Sequence, residues 1–187
     1  MRSKKLPEVL TEDERKRLMK QPNPGAPTGL RNLCMMRLMA NTGLRVSEVI
    51  SLKVNDIDWM SGRLTVRQGK GNKDRTLWVG EGDLELLERW REKRPAESPE
   101  LFTTLKGTHL DDRYIRTMVK RYAVKAGIDK DVHPHTLRHT FATDLLRDTK
   151  NIRLVQKALG HVSISTTMIY THIVDDQLEE ALRGFRG

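Results

Sequence analysis

The chain carries a single cysteine, Cys34, among its 187 residues. One thiol closes no internal disulfide and supplies no multi-cysteine zinc site. It lies in an apolar run, where cysteine serves as a small core residue. Long apolar runs are missing as well. None approaches the roughly 20 residues that span a bilayer, so no membrane partner is expected. The start, Met1-Arg-Ser-Lys-Lys5, has basic residues but no apolar stretch behind them, and so does not read as a signal peptide. Lys4-Lys5 is too short to argue for a nuclear signal. There is no internal repeat and no low-complexity tract. The expected location is the cytoplasm.

Positive charge is what the chain has in excess. Lys and Arg total 34 against 25 Asp and Glu, a formal net charge of +9. So basic a chain points to a polyanionic partner, most often nucleic acid. A charged face kept for solubility is the plainer alternative, and composition does not exclude it. Hydrophobic residues are 37% of the chain, but they fall in periodic blocks, which argues for a folded core. The length fits one domain with a sizeable interior.

Thr11-Glu-Asp-Glu14 reads as a capping box opening a helix to about Met19. Gln21 to Gly29 holds three prolines and two glycines and reads as a loop. Leu30 to Asn41 is apolar nearly all round, broken by Arg31, Asn32 and Arg37, which describes a helix buried in mid-domain. Gly43 ends it, and Val46 to Leu52 starts another. Then the period changes. Ile57–Trp59, Leu64–Arg67 and Arg75–Val79 are short, β-branched or aromatic, and separated by glycine-containing turns. They predict three antiparallel strands, with Gly69-Lys-Gly-Asn-Lys-Asp74 as the second turn. Leu84, Leu87, Trp90 and Arg91 form a helical stripe that stops before Pro95, and Glu97 to Gly107 is mostly loop. Ile115, Met118, Val119, Tyr122, Ala123 and Ala126 mark another helix, and Leu137, Phe141, Leu145 and Leu146 a further one after Pro134. Ile152 to Leu159, ended by Gly160, Ser163 to Thr171 and an amphipathic Asp175 to Arg183 complete the set.

Four strings stand out. In Thr42-Gly-Leu-Arg-Val-Ser-Glu48, Arg45 follows a helix-ending glycine and shares a helical face with Glu48. The carboxylate can hold the guanidinium while its fork points outward, although an ordinary surface ion pair fits this string equally well. Gly69-Lys70-Gly71-Asn72-Lys73 puts Lys70 at a turn whose glycines let a ligand come close. Taken alone, it is a plain hairpin with solvated lysines, and it lacks the P-loop spacing. In His133-Pro-His135-Thr-Leu-Arg138-His139, His135 and Arg138 share a face at the start of a largely apolar helix. A solvated helix end explains that as readily. His135 and His139 are spaced like zinc ligands but lack the intervening glutamate of His-Glu-x-x-His, so no metal is expected. The last string, Leu159-Gly-His161 to Tyr170, is helix, glycine turn and helix, which also resembles a helix-turn-helix reader. Alone, His161 is a surface residue of the turn and Tyr170 a core or interface aromatic.

Together the strings specify more. Two arginines, a lysine, two histidines and a tyrosine without an acidic cluster cannot build a usual Mg²⁺ site. They can build a cationic cradle for one phosphodiester. Arg45 and Arg138 can bind its non-bridging oxygens bidentately and hold charge as it develops. Tyr170 is a candidate nucleophile, with a reference pKa near 10 that demands a base or a positive field. The departing alkoxide needs an acid.

In this order the strings resemble the catalytic boxes of the tyrosine recombinases, the phage-integrase, Xer and fimbrial-switch family. The resemblance runs from about Leu10 to Phe185. The family's arginine box matches Arg45 with Glu48, its β-hairpin lysine Lys70, and its His-x-x-Arg the pair His135 and Arg138. Its Leu-Gly-His box matches His161, and its nucleophile Tyr170. His161 follows Arg138 by 23 residues and precedes Tyr170 by 9, within the family's usual range. The resemblance implies an α+β fold, mainly helical, with the small three-stranded antiparallel sheet. It implies that Tyr170 attacks the scissile phosphate of double-stranded DNA, leaving a 3′-phosphotyrosyl link and a free 5′-hydroxyl. Lys70 would protonate the leaving oxygen. His135 would take or orient the tyrosine proton, His161 would bind the phosphate, and Glu48 would support Arg45 and His135. Arg67, Lys73, Arg75 and His139 would contact DNA. The phosphotyrosine keeps the energy of the broken bond, so no cofactor, metal or ATP is implied. Four protomers would act on paired sites in association with the nucleoid. A monomer free of DNA and an accessory recombination protein are further expectations. The helix Asp175 to Arg183 resembles the family segment that docks on a neighbouring protomer, or packs on its own core.

Most family members carry an N-terminal helical domain of roughly a hundred residues. Here the buried helix begins near Gly29, so residues 1–187 are expected to be one catalytic domain without that core-binding domain. The chain would be either a cut fragment or a short form like the fimbrial-switch members. A topoisomerase-like or resolvase activity is a close variant. The rival of another class is a catalytically idle DNA-binding module that uses Ile152 to Tyr170 as a reader.

Overall fold

Thr11 opens the first helix by reciprocal capping: its hydroxyl accepts from the Glu14 N–H at 3.2 Å, and the Glu14 carboxylate accepts from the Thr11 N–H at 2.7 Å. This helix, α1, runs Glu12–Met19 in the computed structural model, which describes residues 8–67 and 74–160. Several hydrogen bonds tie α1 and the residue before its cap to the rest of the domain. The Leu10 N–H donates to Thr140 Oγ1 at 2.9 Å, Arg17 Nη1 to the Ala126 carbonyl at 2.6 Å, and Lys130 Nζ to Glu14 at 2.5 Å.

The following helix, α2 (Pro27–Thr42), starts within the expected loop. Pro27 sits at its first turn, where a missing N–H costs nothing. Helix α2 is buried from Gly29 to Met36, polar side chains included. Arg31 donates to the Thr103 carbonyl at 2.7 Å, and Asn32 accepts from the Tyr114 hydroxyl at 3.0 Å. The interior is organised around this helix, which packs against α1, α3 (Val46–Ser51), α4 (Glu81–Lys93) and α6 (Pro134–Thr149). Gly43 ends α2 in the left-handed region at φ 67°, the conformation that favours glycine after a helix.

Among the described residues the sheet has two strands where three were expected. Antiparallel β1 (Arg63–Val66) and β2 (Arg75–Trp78) pair Arg63 with Trp78 and Val66 with Arg75. The anticipated strand Ile57–Trp59 contributes one isolated bridge, Ile57 to Leu64. The cause is local. Asp58 Oδ1 accepts from the Met60 and Ser61 N–H groups at 3.1 and 3.3 Å, so the chain turns at once. Trp59 turns with it. Its indole N–H donates to the Val54 carbonyl at 3.1 Å, and Arg91 lies 4.3 Å over its ring.

Beyond the sheet, α4 buries Leu87 and Trp90. A loop leads to α5 (Asp112–Lys125), which Asp111 caps by accepting from the Tyr114 N–H at 2.6 Å. Helix α6 carries the His135 string. The last described helix, α7 (Ile152–Leu159), ends at Gly160 with φ 64°. Ala142, Leu146, Val155 and Leu159 form a small second core between α6 and α7. Among the described residues, no helix is long and apolar enough to cross a membrane. The expected helices Ser163 to Thr171 and Asp175 to Arg183 lie outside the described residues.

Candidate active site

The site begins where α2 stops. Gly43 turns the chain, and Arg45 occupies the N-cap of α3 in extended conformation. Glu48, one turn on, reaches back. Its carboxylate accepts from the Arg45 backbone N–H at 2.7 Å and from Arg45 Nη1 at 2.9 Å. The expected Arg45–Glu48 pair is therefore made, with the arginine side chain 35% exposed and the glutamate 11%.

A second arginine shares that carboxylate. Arg75 Nη1 and Nη2 each donate to one Glu48 oxygen at 2.8 Å, and Arg75 Nε donates to the Ala158 carbonyl at 2.9 Å. Arg75 was expected on DNA, but its side chain is only 7% exposed. The structure turns it inward, because β2 alternates and Arg75 falls on the same buried side as Leu77. Sequence reasoning missed this role, although the period of two was there to be read. Burial alone would raise the Glu48 carboxyl. The Arg75 hydrogen bonds, the Arg45 N–H and the two guanidinium charges outweigh it and hold the group below the usual carboxylate range.

Helix α6 supplies the third arginine. Arg138 is buried, and it donates through Nη1 to the Gly43 carbonyl and through Nη2 to the Leu159 carbonyl at 2.7 Å. It thereby ties α6 to the turn before Arg45 and to the last turn of α7. Two guanidiniums thus sit on consecutive carbonyls at the C-terminus of α7, where the helix dipole favours cations. His161 follows immediately after Gly160.

His135 is exposed one turn before Arg138 on the same helix, 5.9 Å from the His133 ring, edge to face. Loss of water on one side lowers its pKa. The positive charges of His133, Arg116 and Arg138 act in the same direction, and Asp112 opposes them. His139, half-buried, is pushed down to about 4, by burial first and then by His135 and Arg138. Both imidazoles are consequently neutral near pH 7 and able to accept a proton. Asp112 and Arg116, paired at 2.7 Å on α5, also face His135 electrostatically, and nothing in the short strings had marked them.

Arg67 is 65% exposed, and its Nε donates to the buried Asp56 at 2.6 Å. It follows β1 directly and precedes Lys70 by three residues in the sequence. Lys70 and Lys73, together with His161 and Tyr170, lie outside the described residues. Among the described residues, no three His, Cys, Asp or Glu side chains are grouped to hold a metal ion.

The structure thus gathers three of the four strings: the box of Arg45 and Glu48, the pair His135 and Arg138, and the end of α7 that leads to His161. Residues 8–177 match the model of the phage integrase family. Tyrosine recombinase XerD of Staphylococcus epidermidis is 40% identical over 188 aligned positions, covering 97% of this chain and 63% of the relative. Tyrosine recombinase XerC of Oceanobacillus iheyensis is 38% identical, covering 96% and 61%. The chain therefore spans about three fifths of the length of these relatives. Among solved structures, XerA recombinase superposes with a TM-score of 0.83 at 37% identity, over 98% of this chain and 67% of that one. XerH site-specific recombinase, bound to palindromic difH substrate in a post-cleavage complex, superposes with a TM-score of 0.81 at 33% identity, over 98% and 54%. With its arginine cradle, its mainly helical fold and a family match over nearly its whole length, the chain belongs to the phage integrase family, the tyrosine recombinases.

Proposed function

We propose that the protein cleaves and rejoins double-stranded DNA at a specific site through a 3′-phosphotyrosyl intermediate on Tyr170. The observation that carries this reading is that Arg45 and Arg75 share one carboxylate, Glu48, while Arg75 and Arg138 hold consecutive carbonyls at the end of α7. Three guanidiniums against one carboxylate leave a positive site suited to an anion. Arg45 and Arg138 bind the non-bridging oxygens and stabilise charge as the phosphorus becomes five-coordinate. Losing one such preorganised donor costs about 10²–10³ in rate. Neutral His135 takes or orients the Tyr170 proton, Lys70 protonates the departing 5′-oxygen, and His161 hydrogen-bonds the phosphate. Glu48 holds Arg45 in place.

The phosphotyrosyl bond conserves the energy of the broken diester, so a second DNA end can attack it and reseal the strand. The pairing of two sites calls for four protomers, each cutting one strand. Arg67, Lys73 and His139 contact the DNA. The XerH relative bound to difH substrate supports DNA as the partner, and the excess of basic residues agrees with it. We place the action in the cytoplasm, on nucleoid DNA, with a monomer free of DNA and an accessory protein allowed.

Covalent capture in cells tests this. Wild type and Tyr170→Phe are expressed, denatured without crosslinker and pulled down, and any attached DNA is sequenced. Attachment with the wild type alone, piled up at one inverted-repeat site, is the expected result. DNA equally attached to Tyr170→Phe overturns the role of Tyr170.

A further inference from the structure

We propose that Arg75 is a positioning residue of this centre, which sets the aim of Arg45 and anchors the approach to His161; this rests on the recombinase reading above. Arg75 opens β2, five residues after Lys70 in the sequence. All three of its side-chain nitrogens are engaged inside the protein: two on Glu48 at 2.8 Å and one on the Ala158 carbonyl at 2.9 Å. Its side chain is 7% exposed, and both of its terminal nitrogens are spent on the Glu48 carboxylate.

What it holds makes it more than a core ion pair. Glu48 Oε1 accepts from both Arg45 Nη1 and Arg75 Nη1, and Glu48 Oε2 accepts from both the Arg45 N–H and Arg75 Nη2. The carboxylate that orients Arg45 is therefore itself oriented, bidentately, by Arg75. At its other end Arg75 holds the last turn of α7, and Arg138 holds the next carbonyl of that turn. One guanidinium links the strand beyond Lys70, the guanidinium of Arg45 and the turn before His161. Lysine keeps the charge but offers a single point donor, and so cannot span both carboxylate oxygens and the carbonyl.

The test uses the full 187-residue chain as wild type, Arg75→Lys, and Arg75→Gln in case the first fails to fold. Three quantities are read: DNA affinity with its salt dependence, the rate of covalent-complex formation on a nicked copy of the captured site, and the NMR guanidinium signals of Arg45, assigned by their loss in Arg45→Lys. The proposal expects unchanged affinity and salt slope and a cleavage rate lower by about 10- to 100-fold, less than the loss of a donor that touches the phosphate. It also expects Arg45 signals shifted towards those of a solvated arginine while core methyl signals stay in place. A salt slope reduced by about one phosphate contact with weaker binding would make Arg75 a DNA contact instead. Wild-type rate, or unmoved Arg45 signals, overturns the proposal. If the wild type itself forms no covalent complex, the recombinase reading fails, and the Arg45 signals still decide whether Arg75 aims that side chain.

Discussion

The Arg138 guanidinium donates to the backbone carbonyl of Gly43, across 95 positions of sequence. One hydrogen bond thereby joins the helix of His135 to the turn that presents Arg45. Gly43 has little freedom to change. Its φ is 67°, and an added Cβ would lie 2.4 Å from Phe141 Cδ1 and 3.1 Å from Leu159 Cδ2. Gly43→Ala combines left-handed strain with overpacking and is expected to cost about 2–4 kcal/mol. Urea unfolding measures this. The carbonyl that Arg138 holds must shift as well, so covalent-complex formation should slow by more than the loss of folded protein explains.

A change in the opposite direction is expected at Thr103. Its side chain is fully buried, and Oγ1 finds no hydrogen-bond partner among the described residues. Thr103→Val keeps the shape and removes an unpaired hydroxyl. Stability should be unchanged or rise by up to about 1 kcal/mol. A clear loss in the denaturation midpoint would show that the hydroxyl is paired in solution.

His139 gives stability a dependence on pH. Its pKa in the fold is about 4, against an ordinary value of 6.5. As pH falls, the unfolded chain takes up the proton first. The contribution is therefore complete above about 6.5 and lost progressively towards 4. His139→Gln should flatten the stability curve in that window relative to wild type, as read by urea midpoints at a series of pH values. Parallel curves for the two proteins would contradict the assignment.

Much of this was legible in the chain because the signals were local. Thr11 and Glu14 announce α1 by their spacing, the apolar circumference of residues 30–41 announces a buried helix, and Gly43 and Gly160 mark helix ends with residues that tolerate positive φ. The third strand failed because Asp58 competes for backbone N–H groups within three residues, a turn chemistry that the β-branched pattern hides. Arg75 illustrates a different limit. Its charge suggested DNA, while its alternation with Leu77 pointed inward, and only the packed strand shows that the alternation wins. The carbonyls that Arg138 grips are products of tertiary packing, which no short string encodes. Lys70, His161 and Tyr170 were read from motif alone and lie outside the described residues.

The chemistry of Tyr170 is the central claim, and the bond itself can be read. Covalent DNA–protein complexes of the wild type are captured and digested with nuclease and trypsin. The peptide Ala158–Arg183, which contains Tyr170, is then fragmented by mass spectrometry. The account predicts a residual nucleotide on the Tyr170 oxygen, linked through its 3′-phosphate. A nucleotide on any other side chain, or a linkage through a 5′-phosphate, would contradict it.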